Sequence, residues 1–203
     1  SQSFDYRALV PIPGLNSAIL GLEDEENNAL LGLNVSWFPV KLVNIYGQIL
    51  VDNNAFSPDG FQLGGRWSDI LNRFDLQVEY NVVAEDVGLS PERLQSNYHF
   101  NQPMAHVLGN GFEEWLAILT YYKNRIFARA KVAYYNQELS ENSVSSTVLN
   151  GDLRIGYIFN PSCNLEIYSG YTYRTDNTDD IERDNAFWYL GIRTNLSNVY
   201  RDF

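Results

Sequence analysis

The chain has 203 residues, with 14 Lys and Arg against 25 Asp and Glu, for a net charge of −11. Cation clusters that would neutralise phosphates are absent, which argues against nucleic acid as a partner and against docking to an anionic membrane surface. A barrel that crosses a membrane is compatible with this charge, because its acids can sit in loops and lumen.

Cys163 is the only cysteine, so no intrachain disulfide can form. No run of about 18 apolar residues occurs, which excludes transmembrane helices. The opening "SQSFDYRALV" lacks the pattern of a signal peptide. The length fits a single domain over residues 1–203, either a mature form or the remainder of something longer.

Ten segments alternate apolar and polar residues and predict strands: near 3–10, 29–38, 43–52, 60–69, 73–85, 112–122, 125–137, 151–159, 163–174 and 186–196. In the third, Val43, Ile45, Ile49 and Val51 oppose Asn44, Gln48 and Asp52. In the fifth, Phe74, Leu76, Val78, Tyr80 and Val82 oppose Asp75, Gln77, Glu79 and Asn81. Most segments run to about 10 residues, the length a tilted strand needs to cross a bilayer, whereas strands of soluble proteins average about 5–6.

The connections, 11–28, 39–42, 53–59, 70–72, 86–111, 123–124, 138–150, 160–162 and 175–185, alternate long and short. Short periplasmic turns and long extracellular loops give that pattern. The expectation is therefore an all-β protein: an antiparallel transmembrane β-barrel with about ten strands, embedded in the lipid of a bacterial outer membrane. Trp37, Trp67, Trp115, Tyr121, Tyr171 and Trp188 fall near strand ends, where an aromatic girdle would sit. The acids concentrate in "LEDEENN" at 22–28, "DVGLSPE" at 86–92 and "TDNTDDIERDN" at 175–185. These loops are read as solvated charge; none has the spacing of a calcium loop, although oxygen-rich clusters can bind divalent cations.

Alternation aims Arg66, Glu79, Glu114, Arg129, Lys131, Arg154, Glu166 and Arg193 into the lumen. Both signs are present, so the expectation is pairing across neighbouring strands, since isolated buried charges are costly. The other reading is a path for an anionic ligand.

The stretch "NYHFNQPMAHVLGNGFEEW", 97–115, holds both histidines, His99 and His106, among Asn101, Gln102, Pro103 and Gly109. Their spacing lacks the compactness of a structural zinc site, so no metal and no cofactor are expected. No G-x-S-x-G, H-E-x-x-H, C-x-x-C or P-loop occurs, so the chain is read as non-enzymatic. Amide and imidazole side chains that hydrogen-bond loop backbone, with glycines supplying positive φ, account for the stretch as a structured loop.

The same stretch resembles a signature of capsule-assembly (Wzi-like) outer-membrane proteins of Bacteroidota, some of whose relatives are linked to gliding motility. The matching positions include Tyr98, His99, Asn101, Gln102, Pro103, His106, Gly109 and Glu114. "VNIYGQILVDN", "LQVEYNVV" and the ending "LGIRTNLSNVYRDF" resemble other stretches of that family in the same order, so the likeness covers about residues 43–203. The chain departs from the pattern at Gln48, Asn53 and Val107.

The resemblance implies a barrel of about eighteen strands, of which this chain would be the C-terminal portion. It also implies a non-enzymatic protein that binds or anchors surface polysaccharide. Two alternatives stand beside it. One is a structural subunit that docks other outer-membrane proteins in a secretion or gliding assembly. The other is a hydrolase or acyltransferase at the barrel rim that uses His99 or His106.

Overall fold

The computed structural model describes residues 30–52, 59–85, 98–99, 102–103, 108, 110–139, 144–178 and 181–194. Every regular element among them is a strand: β1 (Leu30–Val40), β2 (Val43–Asp52), β3 (Gly60–Ile70), β4 (Phe74–Val83), β5 (Tyr98–His99), β6 (Gln102–Pro103), β7 (Phe112–Lys123), β8 (Ile126–Leu139), β9 (Val144–Asn160), β10 (Leu165–Thr178) and β11 (Ile181–Arg193). Nine of them form one antiparallel sheet in the order β1-β2-β3-β4-β7-β8-β9-β10-β11, and β5 pairs with β6 in a separate two-stranded ribbon.

The sheet is a meander in which each strand pairs with the next one along it. Among the described residues it does not close on itself, so β1 and β11 are free edges. Of the expectation of about ten strands in a barrel, the described residues show the all-β antiparallel part: nine strands in one sheet that does not close. The segment predicted at 3–10 lies outside those residues.

Tight turns follow from residues that accept the left-handed region. Leu42 (φ 71°) turns β1 into β2, Asn124 (φ 57°) turns β7 into β8, and Asn164 (φ 47°) precedes β10. Asn adopts this region with little cost, whereas Leu42 does so under local strain. The β7–β8 turn falls at Asn124–Arg125, one residue later than the sequence predicts. The β3–β4 turn is tied by the Asp69 backbone N–H, which donates to Asp75 Oδ1 at 2.8 Å.

The opposite end departs further from expectation. β9 begins at Val144 and β10 runs to Thr178, with β11 resuming at Ile181. The stretches read as long loops at 138–150 and 175–185 are therefore mostly hairpin ladder, and the strict alternation of long and short connections does not hold. Backbone pairing continues through polar sequence because the ladder needs only N–H and C=O groups. Side chains add to it: Ser146 Oγ donates to Asp176 Oδ1 at 3.1 Å, and Thr178 Oγ1 donates to the same oxygen at 2.7 Å.

The two faces of the sheet differ sharply. One carries Leu33, Val35, Trp37, Leu63, Trp67, Trp115, Leu153, Ile155, Trp188 and Leu190, all exposed. The other carries the polar half of each alternation and also every buried side chain of the sheet: Asn81, Phe112, Glu114, Phe127, Ala133, Tyr135, Ser146, Val148 and Glu166. A sheet whose polar face is shaded and whose apolar face is open reverses the arrangement of a soluble β fold.

Four ring–glycine pairs lie on the polar face: Tyr46 over Gly64, Phe127 over Gly156, Tyr189 over Gly170 and Tyr168 over Gly191. A Cβ at any of these glycines would come within 2.2–2.5 Å of the ring. On the apolar face Gly65 meets nothing within 4 Å. Rings cover backbone at these glycines on the polar face, which is also the shaded one.

Candidate functional site

Strand register assembles the site. Arg66, Gln77, Ile118, Lys131, Asp152 and Thr172 are successive cross-strand partners from β3 to β10. One step towards the turns, Asp75, Thr120, Arg129 and Arg154 form a parallel row. All eight charges that alternation aims inward occupy the polar face.

Most of these charges are accommodated locally. Arg193 Nε lies 2.9 Å from Glu166 Oε1, between strands that place the two residues directly opposite. Glu79 accepts from Gln77 Nε2 at 2.6 Å and from the Tyr46 hydroxyl. Glu114, only 7% exposed, accepts from Asn81 Nδ2 at 2.9 Å. Arg66 Nη2 stands 3.9 Å from Asp75 Oδ2.

Arg154 belongs to a larger network. Its guanidinium lies over the Tyr168 ring at 4.7 Å from the centroid, and its Nε and Nη2 donate to the Tyr189 hydroxyl at 3.4 Å. That hydroxyl donates to Asp152 Oδ2 at 2.7 Å, and Thr172 Oγ1 donates to the same oxygen at 2.9 Å. The arrangement combines cation–π attraction with a charge transmitted through a shared hydroxyl.

Arg129 and Lys131 break the pattern of pairing. Both side chains are exposed on the polar face and make no ion pair or hydrogen bond with a described residue. Arg129 faces Arg154 directly across the strands. Beside it, an open cleft of about 250 Å³ is lined by Arg66, Asp75, Gln77, Thr120, Tyr122 and Arg129. The sequence identified both arginines as inward-facing. It could not show the cleft between them, because Arg66 and Arg129 come together only through the register of four strands.

The histidine stretch is described only in part. Tyr98 pairs with Pro103 and His99 with Gln102 in the β5–β6 ribbon. Asn101, His106 and Gly109 lie outside the described residues. The end of the stretch is fastened to β8, where Gln137 Nε2 donates to Leu108 O at 2.9 Å. Gly111 (φ 65°) accepts from Glu138 N at 2.8 Å and donates to Ala84 O at 3.0 Å. A side chain at Gly111 would meet Glu138 O at 2.8 Å as well as an unfavourable φ.

Among the described residues no group of three or more His, Cys, Asp or Glu side chains is placed to hold a metal ion. No family model matches this chain, and no curated protein or solved structure matches it either.

Proposed function

We propose that this chain is a wall of an outer-membrane β-barrel and that it binds or anchors a surface polysaccharide. The observation that carries the membrane reading is the inverted burial. Trp188, Leu190 and Ile192 are 76%, 83% and 71% exposed on the same face as Leu153 and Ile155, while Glu114 and Asn81 are buried on the other. Water penalises such a face over so large an area, whereas hydrocarbon does not.

Dimensions support the same reading. From Leu149 to Phe159 the outward residues of β9 span ten steps, about 33 Å of strand, or about 25 Å of height at a tilt near 40°. Aromatic pairs mark both ends of the face. Tyr80 stacks on Trp115 at 4.6 Å towards the loops, and Phe74 on Tyr121 at 5.0 Å towards the turns.

Polysaccharide binding draws support from the polar face, where exposed rings and hydrogen-bonding side chains stand together, and from the resemblance of residues 97–114 to the capsule-assembly signature. The test is polysaccharide retention by cells that express the chain with residues 86–111 deleted. Loss of retention, with the barrel still assembled, supports the reading; unchanged retention overturns it. A chain that is monodisperse in buffer without detergent overturns the membrane reading.

The free edges favour a second reading. Among the described residues, β1 and β11 present unpaired backbone donors and acceptors that a neighbouring polypeptide can extend. In this reading the chain is a structural subunit of a larger outer-membrane assembly for secretion or motility. Stable co-purification of other membrane proteins, without glycan binding, would favour it.

A further inference from the structure

We propose that the cleft between Arg66 and Arg129 binds a carboxylate-bearing sugar of the uronic-acid class. The proposal rests on the polysaccharide reading and narrows it to acidic glycans.

Electrostatics at Arg129 favour an anion. Like charges directly opposite on neighbouring strands destabilise a sheet, yet Arg129 faces Arg154, and Lys131 lies two residues along the same strand. Arg154 is relieved by Tyr189 and Asp152. Arg129 makes no ion pair or hydrogen bond with a described residue, whereas Lys131 stands directly opposite Asp152. The chain is rich in acids, with a net charge of −11, so an unpaired cation at Arg129 is not a matter of short supply. An incoming anion would complete what the sheet leaves open.

The shape and lining of the cleft favour a sugar. The cleft holds about 250 Å³, below the roughly 300–1,000 Å³ of drug-sized pockets, which matches a single sugar unit. A guanidinium fork takes a carboxylate through two parallel hydrogen bonds. Tyr122, half exposed, offers a ring face to the apolar side of a pyranose. The Thr120 hydroxyl forms no hydrogen bond with a described residue and is free to engage a sugar hydroxyl. Asp75 is already held by Arg66 and the Asp69 N–H, so it does not neutralise Arg129. A plain anion such as phosphate would use the arginines but not the ring.

The test is calorimetric binding to the purified full chain, with tetragalacturonate, maltotetraose and inorganic phosphate as probes. The expected result is binding of tetragalacturonate that weakens with added salt, and maltotetraose weaker by about tenfold or more. Arg129→Gln should weaken tetragalacturonate by about tenfold or more, with Arg129→Lys between the two, because lysine keeps the charge without the fork. Tyr122→Leu should weaken tetragalacturonate and leave phosphate unchanged. Arg193→Gln, at an already paired arginine, should bind as the parent does.

Equal binding of maltotetraose, no binding of tetragalacturonate, or insensitivity to Tyr122→Leu would each overturn the proposal. Its failure is separable from failure of the parent reading. If deletion of 86–111 abolishes polysaccharide retention while tetragalacturonate does not bind, only the acidic-sugar assignment falls.

Discussion

The ring of Tyr189 lies against Gly170 on the neighbouring strand, so that a Cβ at Gly170 would stand 2.2 Å from Tyr189 Cζ. The two residues are direct cross-strand partners, and the Tyr189 hydroxyl continues into the hydrogen bonds to Asp152 and Arg154. Glycine weakens a strand by itself, but here its lack of a Cβ leaves the room the ring occupies. Gly170→Ala should therefore lower stability by about 1–3 kcal/mol through overpacking. Tyr189→Phe, which keeps the ring and removes the hydroxyl, should cost about 1–3 kcal/mol by leaving Asp152 short of a donor. Urea unfolding in detergent compares the two. A neutral Gly170→Ala would mean that the ring swings away freely.

Asn81 and Glu114 form a second test pair. Asn81 is 3% exposed and donates to a carboxylate that is itself buried. Asn81→Leu removes that donor without emptying space and should destabilise by about 1–3 kcal/mol. Val82→Leu, on the apolar face of the same strand, should have an effect within about 0.5 kcal/mol. Paired unfolding midpoints check the contrast.

The apolar face predicts an asymmetry between neighbouring positions. Leu153→Arg places a charge on the outward face and should cost about 2–4 kcal/mol if that face meets the middle of a bilayer. Asp152→Asn, one residue away and inward, should be milder. Heat-resistant migration of the assembled protein in outer-membrane fractions reads both. Equal assembly of Leu153→Arg and the parent would argue that this face does not meet lipid.

At the far end of the β10–β11 hairpin, beyond the apolar band, the Asp176 carboxyl is held below its ordinary value of 3.8. The first cause is the hydrogen bond from Thr178, followed by those from Ser146 and Arg174. A carboxylate whose pKa is lowered on folding binds fewer protons folded than unfolded. Its stabilisation of the hairpin is therefore full above 3.8 and is lost as pH falls through the lowered folded value. Carboxyl titration by NMR should show Asp176 below 3.8, and Thr178→Val should move it up. An unchanged titration in that variant would remove Thr178 as the cause.

Several of these relationships were legible in the sequence, and the reasons differ by residue. The run Phe74 to Val82 declares its two faces by strict alternation, and Glu114 was placed inward by the same rule. Hairpin β7–β8 is legible because the segments at 112–122 and 125–137 leave only Lys123 and Asn124 between them, the length of a two-residue turn. The extension of β9 back to Val144 was not, because "NSVSSTVLN" lacks an apolar partner at every second position. Its pairing is carried by backbone groups and by Ser146, Asp176 and Thr178, which read locally as loop chemistry. The ion pair of Glu166 with Arg193 and the isolation of Arg129 depend on register, which alternation leaves undetermined. The glycines under Tyr46, Phe127, Tyr168 and Tyr189 depend on register in the same way, since each stands directly opposite its aromatic on the adjacent strand.

In the membrane reading, the edges that β1 and β11 leave open among the described residues set an order of events for biogenesis. Each unpaired backbone group there would cost several kcal/mol in hydrocarbon. The nine described strands would not enter a bilayer with those edges open and search there for what seals them. In the membrane reading, the seam must be zipped before or during release into lipid, so the step that joins β1 and β11 to their neighbours governs when the molecule can leave the machinery that inserts it.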